Sequence, residues 1–255
     1  LMMLVWAPLG GWLALDAVPL WGAREWAIVA LSGVLHVLYY VVLLRGYRKA
    51  DLTVVYPLAR GTGPLVTALV AVTLLGERLS LTAVLGIAGV VAGVFLIAGG
   101  PGLLRAGRDE QARRLVRKGM QYGVLTGLFI ASYTVVDGYA VKVMLLSPIL
   151  VDYMGNFVRV LVLAPVALRK PAELAPLWAA QWRFALLVAA VSPVAYVLVL
   201  FAMQSAPLSH VAPAREVSML FAALLGGHLL GEGDRAARLA GALLIACGVV
   251  ALALG

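Results

Sequence analysis

Charge is what this sequence has least of. Only 13% of its 255 residues are Asp, Glu, Lys or Arg, against about a quarter in an ordinary globular domain. That deficit excludes a soluble fold with a solvated surface. With 63% hydrophobic residues and a mean hydropathy of +1.00, it leaves an all-α integral membrane protein of many spans. Cysteine is almost absent: Cys247 stands alone, so neither a disulfide framework nor a cysteine metal site can be built. There is no HExxH, GxSxG, phosphate-binding loop or Cys/His cluster, so the chain reads as no enzyme, with no cofactor and no metal. No charged segment precedes the opening apolar run, and no signal peptide is read there. The net charge of +8 would suggest nucleic acid in a soluble protein. No basic helix or aromatic platform stands outside the apolar segments, so the surplus is assigned to anionic lipid and nucleic acid is excluded.

What the sequence has is long apolar runs. A spanning helix needs roughly 20 mostly apolar residues, and that ruler places complete spans at about 26–44, 52–75, 81–98, 120–146, 149–168, 184–203, 210–230 and 236–254. Residues 1–15 read as the second half of a further helix. The connections are tight except for a polar, basic stretch that divides the chain into a first half at 1–99, a linker at 100–118 and a second half at 119–255.

The two halves resemble each other. LVWAP from Leu4 matches LVLAP from Leu161, Tyr40 matches Tyr196, Pro57 matches Pro213, Arg60 matches Arg215, and the LLGE of Leu74 recurs at Leu229. Gly86 and Gly93 match Gly241 and Gly248 in the same order. Proline, arginine and glutamate in a shared order point to internal duplication. The second half opens a whole helix earlier than the first, so the parent unit has five helices. An odd number inserts the two copies with opposite topology, and the expectation is an inverted repeat of five-helix bundles.

Charges inside spans mark candidate function, because each costs at least about 2.5–3.5 kcal/mol at mid-membrane. In VYPLARGTGP, residues 55–64, Tyr56 and Arg60 are site candidates, and Pro57, Gly61, Gly63 and Pro64 predict a break in the helix. The matching stretch VAPAREVSML supplies Pro213, Arg215 and Glu216. A guanidinium is a rigid fork suited to carboxylate or phosphate. Glu216 beside Arg215 stands where the first half has Gly61, which predicts that Arg60 is the freer arginine. Tyr133 and Asp137, four apart, share a helix face, and Asp137 is a candidate for proton coupling. Asp152, Asn156 and Arg159 make a polar stripe on the next helix. Tyr40 and Tyr196 are mid-span and could line a pathway, with His36 and Tyr39 near the first of them. Glu77 and Glu232 sit in short turns and are expected to be structural.

ADLTVVYPLARGTGP from Ala50, LLGERLS from Leu74 with Gly86 and Gly93 after it, and the echo APLSHVAPAREVSM with LLGEG resemble the EamA branch of the drug/metabolite transporter (DMT) superfamily. That resemblance covers nearly the whole chain. It implies a ten-helix fold of two inverted five-helix repeats, here lacking the first helix and part of the second. It also implies a bacterial inner-membrane, multi-pass secondary transporter or exporter of a small metabolite, working by alternating access; the formal balance of Arg60, Arg159 and Arg215 against Asp137, Asp152 and Glu216 within the spans suggests that the metabolite is amino-acid-like or an organic anion. The partners implied are a small-molecule substrate and the lipid bilayer, in a monomer or homodimer. The alternatives are a flippase for a lipid-linked headgroup and, further off, an integral-membrane transferase.

Of the twenty basic residues, fourteen gather on one side of the membrane: Arg45, Arg48, Lys49, Arg105, Arg108, Arg113, Arg114, Arg117, Lys118, Arg169, Lys170, Arg183, Arg235 and Arg238. Arg24, Arg78 and Lys142 are on the other, and Arg60, Arg159 and Arg215 lie in spans. The positive-inside bias makes the crowded side cytoplasmic and sends the C-terminus outward, whereas members of the resembled family commonly keep both termini inside. A reporter fused after Gly255 should be active only if it works outside the cytoplasm; activity from a strictly cytoplasmic reporter would overturn this orientation.

Overall fold

The computed structural model describes residues 1–50, 52–97, 110–169, 171–219, 221 and 235–255, without the side chains of 52, 53, 57, 111–113, 171–174, 235 and 238. All the regular structure among these residues is helical. Helix α1 (Met2–Val5), a π-helical turn (Ala7–Gly11) and α2 (Trp12–Ala17) open the chain. There follow α3 (Ala23–Lys49), α4 (Leu52–Thr73), α5 (Leu81–Ile97), α6 (Glu110–Lys142), α7 (Pro148–Leu168), α8 (Pro171–Ser205), α9 (Leu208–Ala214) and α10 (Arg235–Leu254). Helix is the answer to an apolar solvent, since it satisfies each backbone polar group within its own segment. Hydroxyls inside the spans obey the same demand. Thr67, Thr126 and Ser132 donate to carbonyl oxygens one turn back, at 2.8, 2.7 and 2.8 Å. At the start of α5 the Ser80 hydroxyl accepts from the Ala83 N–H at 3.0 Å, as an N-cap does.

Five helices among the described residues are long and apolar enough to cross a membrane, lying in α3, α4, α6, α7 and α8. Helix α5, with 17 residues, and the apolar stretch Leu239–Leu254 of α10 are shorter. The span expected at 210–230 lies largely outside the described residues.

Helix α6 starts at Glu110, so residues 110–118, read as part of the linker, are helical. Other expectations are corrected. Helix α8 has 35 residues and takes in 171–183, expected as a loop; Arg183 is therefore helical. The largest correction concerns the break. Helix α4 runs without interruption from Leu52 to Thr73, through Pro57, Gly61, Gly63 and Pro64. With no water to solvate freed backbone groups, a proline there removes one hydrogen bond while the rest of the ladder persists. The interruption is in the second copy, where α9 ends at Ala214 and Arg215 and Glu216 form a turn before helix resumes at 217–219. Glu216 N–H donates to Pro213 O at 3.0 Å and Met219 N–H to Glu216 O at 2.8 Å, both three-residue closures.

The chain forms two compact units. The first contains residues 1–38 and 136–205, the second residues 39–135 and 206–255. Each unit therefore draws on both sequence halves. In the first unit the Trp6 indole N–H donates to Ala189 O at 3.1 Å and ties the opening segment to α8.

In the second unit, glycines set how closely helices approach. A Cβ built on Gly119, Gly123 or Gly127 of α6 would lie 3.0, 2.7 or 2.5 Å from the Cβ of Val54, Leu58 or Thr62 of α4. The spacing of four is kept on both helices, so they run parallel in one register. Helices α5 and α10 cross closer still. A Cβ on Gly86 would lie 2.7 Å from Gly248 O, and one on Gly248 would lie 2.6 Å from Gly86 O. The same holds for Gly93 and Gly241, at 2.5 and 2.7 Å. The repeat equates Gly86 with Gly241 and Gly93 with Gly248, so each glycine meets the mate of the other. As one helix rises the other descends, which is what an inverted repeat requires.

Polarity is arranged inside out. Ser32, His36, Thr134, Asp137, Asp152, Asn156 and Glu216 are buried, while Leu69, Leu81, Leu187 and Leu198 are exposed. Gly127→Val should destabilise the protein by about 1–3 kcal/mol through overpacking against Thr62. The exposed change Val124→Ala should stay within about 0.5 kcal/mol. Thermal melting in detergent compares the two, and equal melting temperatures would refute the packing assignment.

Candidate functional site

The mid-span charges fall into one cluster in each unit. In the second unit α4 carries Tyr56 and Arg60, one turn apart, and the guanidinium lies 5.7 Å from the Tyr56 ring centre. Arg60 Nε stands 3.3 Å from Glu216 Oε2, an ion pair set off the hydrogen-bonding direction, since neither atom has a hydrogen-bond partner among the described residues. Its other arm donates to Ser218 Oγ at 2.9 Å. The carboxylate is buried, whereas the Arg60 side chain keeps 26% of its surface exposed.

Arg215 donates to Thr134 Oγ1 at 3.3 Å and is near enough to Arg60 for the two positive charges to oppose each other. Glu216, expected beside Arg215 from their adjacency in sequence, stands against Arg60. Glu216 reaches across the repeat to Arg60, because the turn after Pro213 rotates successive side chains apart. That turn also leaves Arg215 at the carbonyl end of α9 and Glu216 at the amide end of the next helix, where the backbone dipoles favour each sign.

Aromatic rings adjoin. Tyr39 packs against Tyr40 at 4.9 Å and against buried Tyr133 at 5.7 Å between ring centres. Tyr40 itself is 42% exposed. Its repeat mate Tyr196 is in the other unit and in different surroundings, so equivalent sequence positions do not share a role here.

In the first unit Asp137 is buried and accepts a hydrogen bond from the Tyr196 hydroxyl. The His36 ring stands edge-on to Tyr196 at 5.6 Å, and its Nδ1 lies 3.0 Å from Ser32 O. On α7 the predicted polar stripe is real. Asn156 donates to Asp152 Oδ2 at 3.0 Å, and Arg159 reaches Asp152 Oδ1 at 3.5 Å. Arg159 Nε is buried with no hydrogen-bond partner among the described residues. Beside it a mostly apolar cavity of about 610 Å³ is bordered by Asn156, Arg159, Gln181 and Phe184.

The second unit brings Arg60, Arg215 and Glu216 together, and the first Asp137, Asp152 and Arg159. Among the described residues no group of three His, Cys, Asp or Glu could hold a metal ion. Sequence reasoning passed over Ser218 and Thr134. Ser218 aligns with Gly63, so the repeat comparison gives it no echo, and Thr134 is a neutral hydroxyl that carries no charge to mark it. Glu77 is structural as expected, but it caps a distant helix: its carboxylate accepts from Leu208 N–H, Ser209 N–H and the Ser209 hydroxyl at 2.7, 3.0 and 2.6 Å. Glu232 lies outside the described residues.

Residues 1–99 and 117–254 match the sequence profile of the EamA-like transporter family. A solved crystal structure superposes with a TM-score of 0.68 over 99% of this chain and 86% of its own length, at 16% sequence identity. That likeness concerns the fold. No curated protein matches the chain in sequence.

Removing one member of the Arg60–Glu216 pair strands the other in a dry site. Arg60→Met and Glu216→Leu singly should each lower stability by about 2–3 kcal/mol, and the double change by less than their sum. Additive losses in melting temperature would count against a coupled pair.

Proposed function

We propose, from the premise that the chain belongs to the EamA-like transporter family, that this multi-pass membrane transporter moves a small organic anion or amino acid by alternating access. The observation that carries the substrate class is the pair of guanidiniums in the second unit: Arg60, 26% exposed beside buried Glu216 and close to the Tyr56 ring, and Arg215 beside Thr134. Guanidinium forks suit carboxylates, and Tyr56, Tyr39 and Tyr133 offer ring surfaces for the rest of a small solute. We place the protein in a bacterial inner membrane with its basic loops toward the cytoplasm, in keeping with the charge bias.

A flippase for a lipid-linked headgroup is the second reading. It is favoured by Arg159, whose Nε is buried without a hydrogen-bond partner among the described residues, since such a cation suits an anionic headgroup.

The test is transport by the full chain in proteoliposomes, screened with amino acids, organic acids and a fluorescent lipid. Arg215→Ala and Arg60→Ala should each reduce solute transport by about tenfold or more, and Arg215→Lys should not restore it, because an ammonium lacks the fork. Wild-type rates in both alanine variants would end the proposal; lipid movement without solute movement would favour the flippase.

A further inference from the structure

Asp137 is 1% exposed, and its two oxygens are treated differently. Oδ2 accepts from the Tyr196 hydroxyl, while Oδ1 makes no well-formed hydrogen bond among the described residues, the Ser32 hydroxyl standing near the carboxyl. An ionised carboxylate offers about four lone-pair positions, and a buried polar atom left without a partner costs about 1–3 kcal/mol. The groups facing Asp137 are Ser32 and His36 from α3, Tyr196 from α8, and the Asp152–Arg159 pair from α7. Arg159 already shares its charge with Asp152 at 3.5 Å, so no whole countercharge is left over. At His36, Nδ1 stands 3.0 Å from a carbonyl oxygen and must be the N–H.

We infer that Asp137 is the proton-carrying group of the transport cycle, gaining and losing a proton on Oδ1 while Tyr196 holds Oδ2. The step is an acid–base exchange alone: an O–H bond forms from a lone pair of Oδ1 as the carboxyl becomes neutral, and release reverses it. A proton suits the site better than a metal ion. A hard cation wants about six oxygen ligands, whereas among the described residues Asp137 stands with one phenol and one serine, and the neighbouring Asp152 is taken by Arg159. Tyr196 is a positioning residue, and the edge of the His36 ring holds its phenol in place. Tyr40, the repeat mate of Tyr196, is 42% exposed.

This inference rests on the transport reading, and the two are separable by experiment. The purified full chain in lipid vesicles is taken between acid and alkaline buffer under infrared difference spectroscopy, with no solute present. A carboxyl C=O band should titrate, vanish in Asp137→Asn and shift in Tyr196→Phe. In proteoliposomes, the ratio of solute uptake with a pH gradient to uptake without one should fall to unity in Asp137→Asn. The inference is overturned if the band survives in Asp137→Asn, if that variant keeps the gradient effect, or if a sodium gradient drives uptake in place of the pH gradient. A titrating band with no transport of any solute fails the transport reading and the coupling role with it, whereas transport without the band fails the assignment of Asp137 alone.

Discussion

A charge inside an apolar chain must be answered by another part of the same chain, and most of this structure follows from that constraint. Hydrocarbon offers no hydration, and an unpaired buried charge costs several kcal/mol. The answers are of three kinds. Arg60 on α4 is met by Glu216 from the turn after α9, so one ion pair joins the two sequence halves. Arg159 is met within its own helix by Asp152, two turns away. Asp137 is met by a neutral phenol, the weakest of the three answers. The order of these answers is also the order in which the groups are bound to structure, and the least satisfied is the one best suited to change state.

Close helix contacts position these groups. Where α6 presents glycines every fourth residue, α4 fills the spaces with Val54, Leu58 and Thr62, and the height of one helix against the other is fixed. Both helices carry site residues, Arg60 and Tyr56 on α4 and Tyr133 and Thr134 on α6, so a rigid register serves a polar cluster that depends on distances of a few ångströms. Glu77 does comparable work at an end. By holding the first amides of α9, it fixes the start of the short helix that leads to Arg215.

Much of this was legible in the residues. Composition gave the class, apolar length gave most of the helices, and the order of Pro, Arg, Glu and Gly in the two halves gave the family. The polar stripe of Asp152, Asn156 and Arg159 could be read from helical spacing alone. The location of the break could not, because both copies place a proline shortly before an arginine, and helix stops only in the second. The partner of Glu216 was hidden for a similar reason: adjacency in sequence favoured Arg215, while the turn sends the carboxylate to Arg60. The Tyr196–Asp137 bond joins residues 59 apart, in α8 and α6, and no periodicity links them.

The crossing of α5 and α10 has a consequence for how such a chain can evolve. Because Gly86 faces Gly248 and Gly93 faces Gly241, the contact is the self-complementary interface of a symmetric dimer, retained within one polypeptide. Once the two copies are fused, neither can drift alone at these positions. A side chain gained in one half is felt by the backbone of the other, and any accommodation has to arise in the opposite copy.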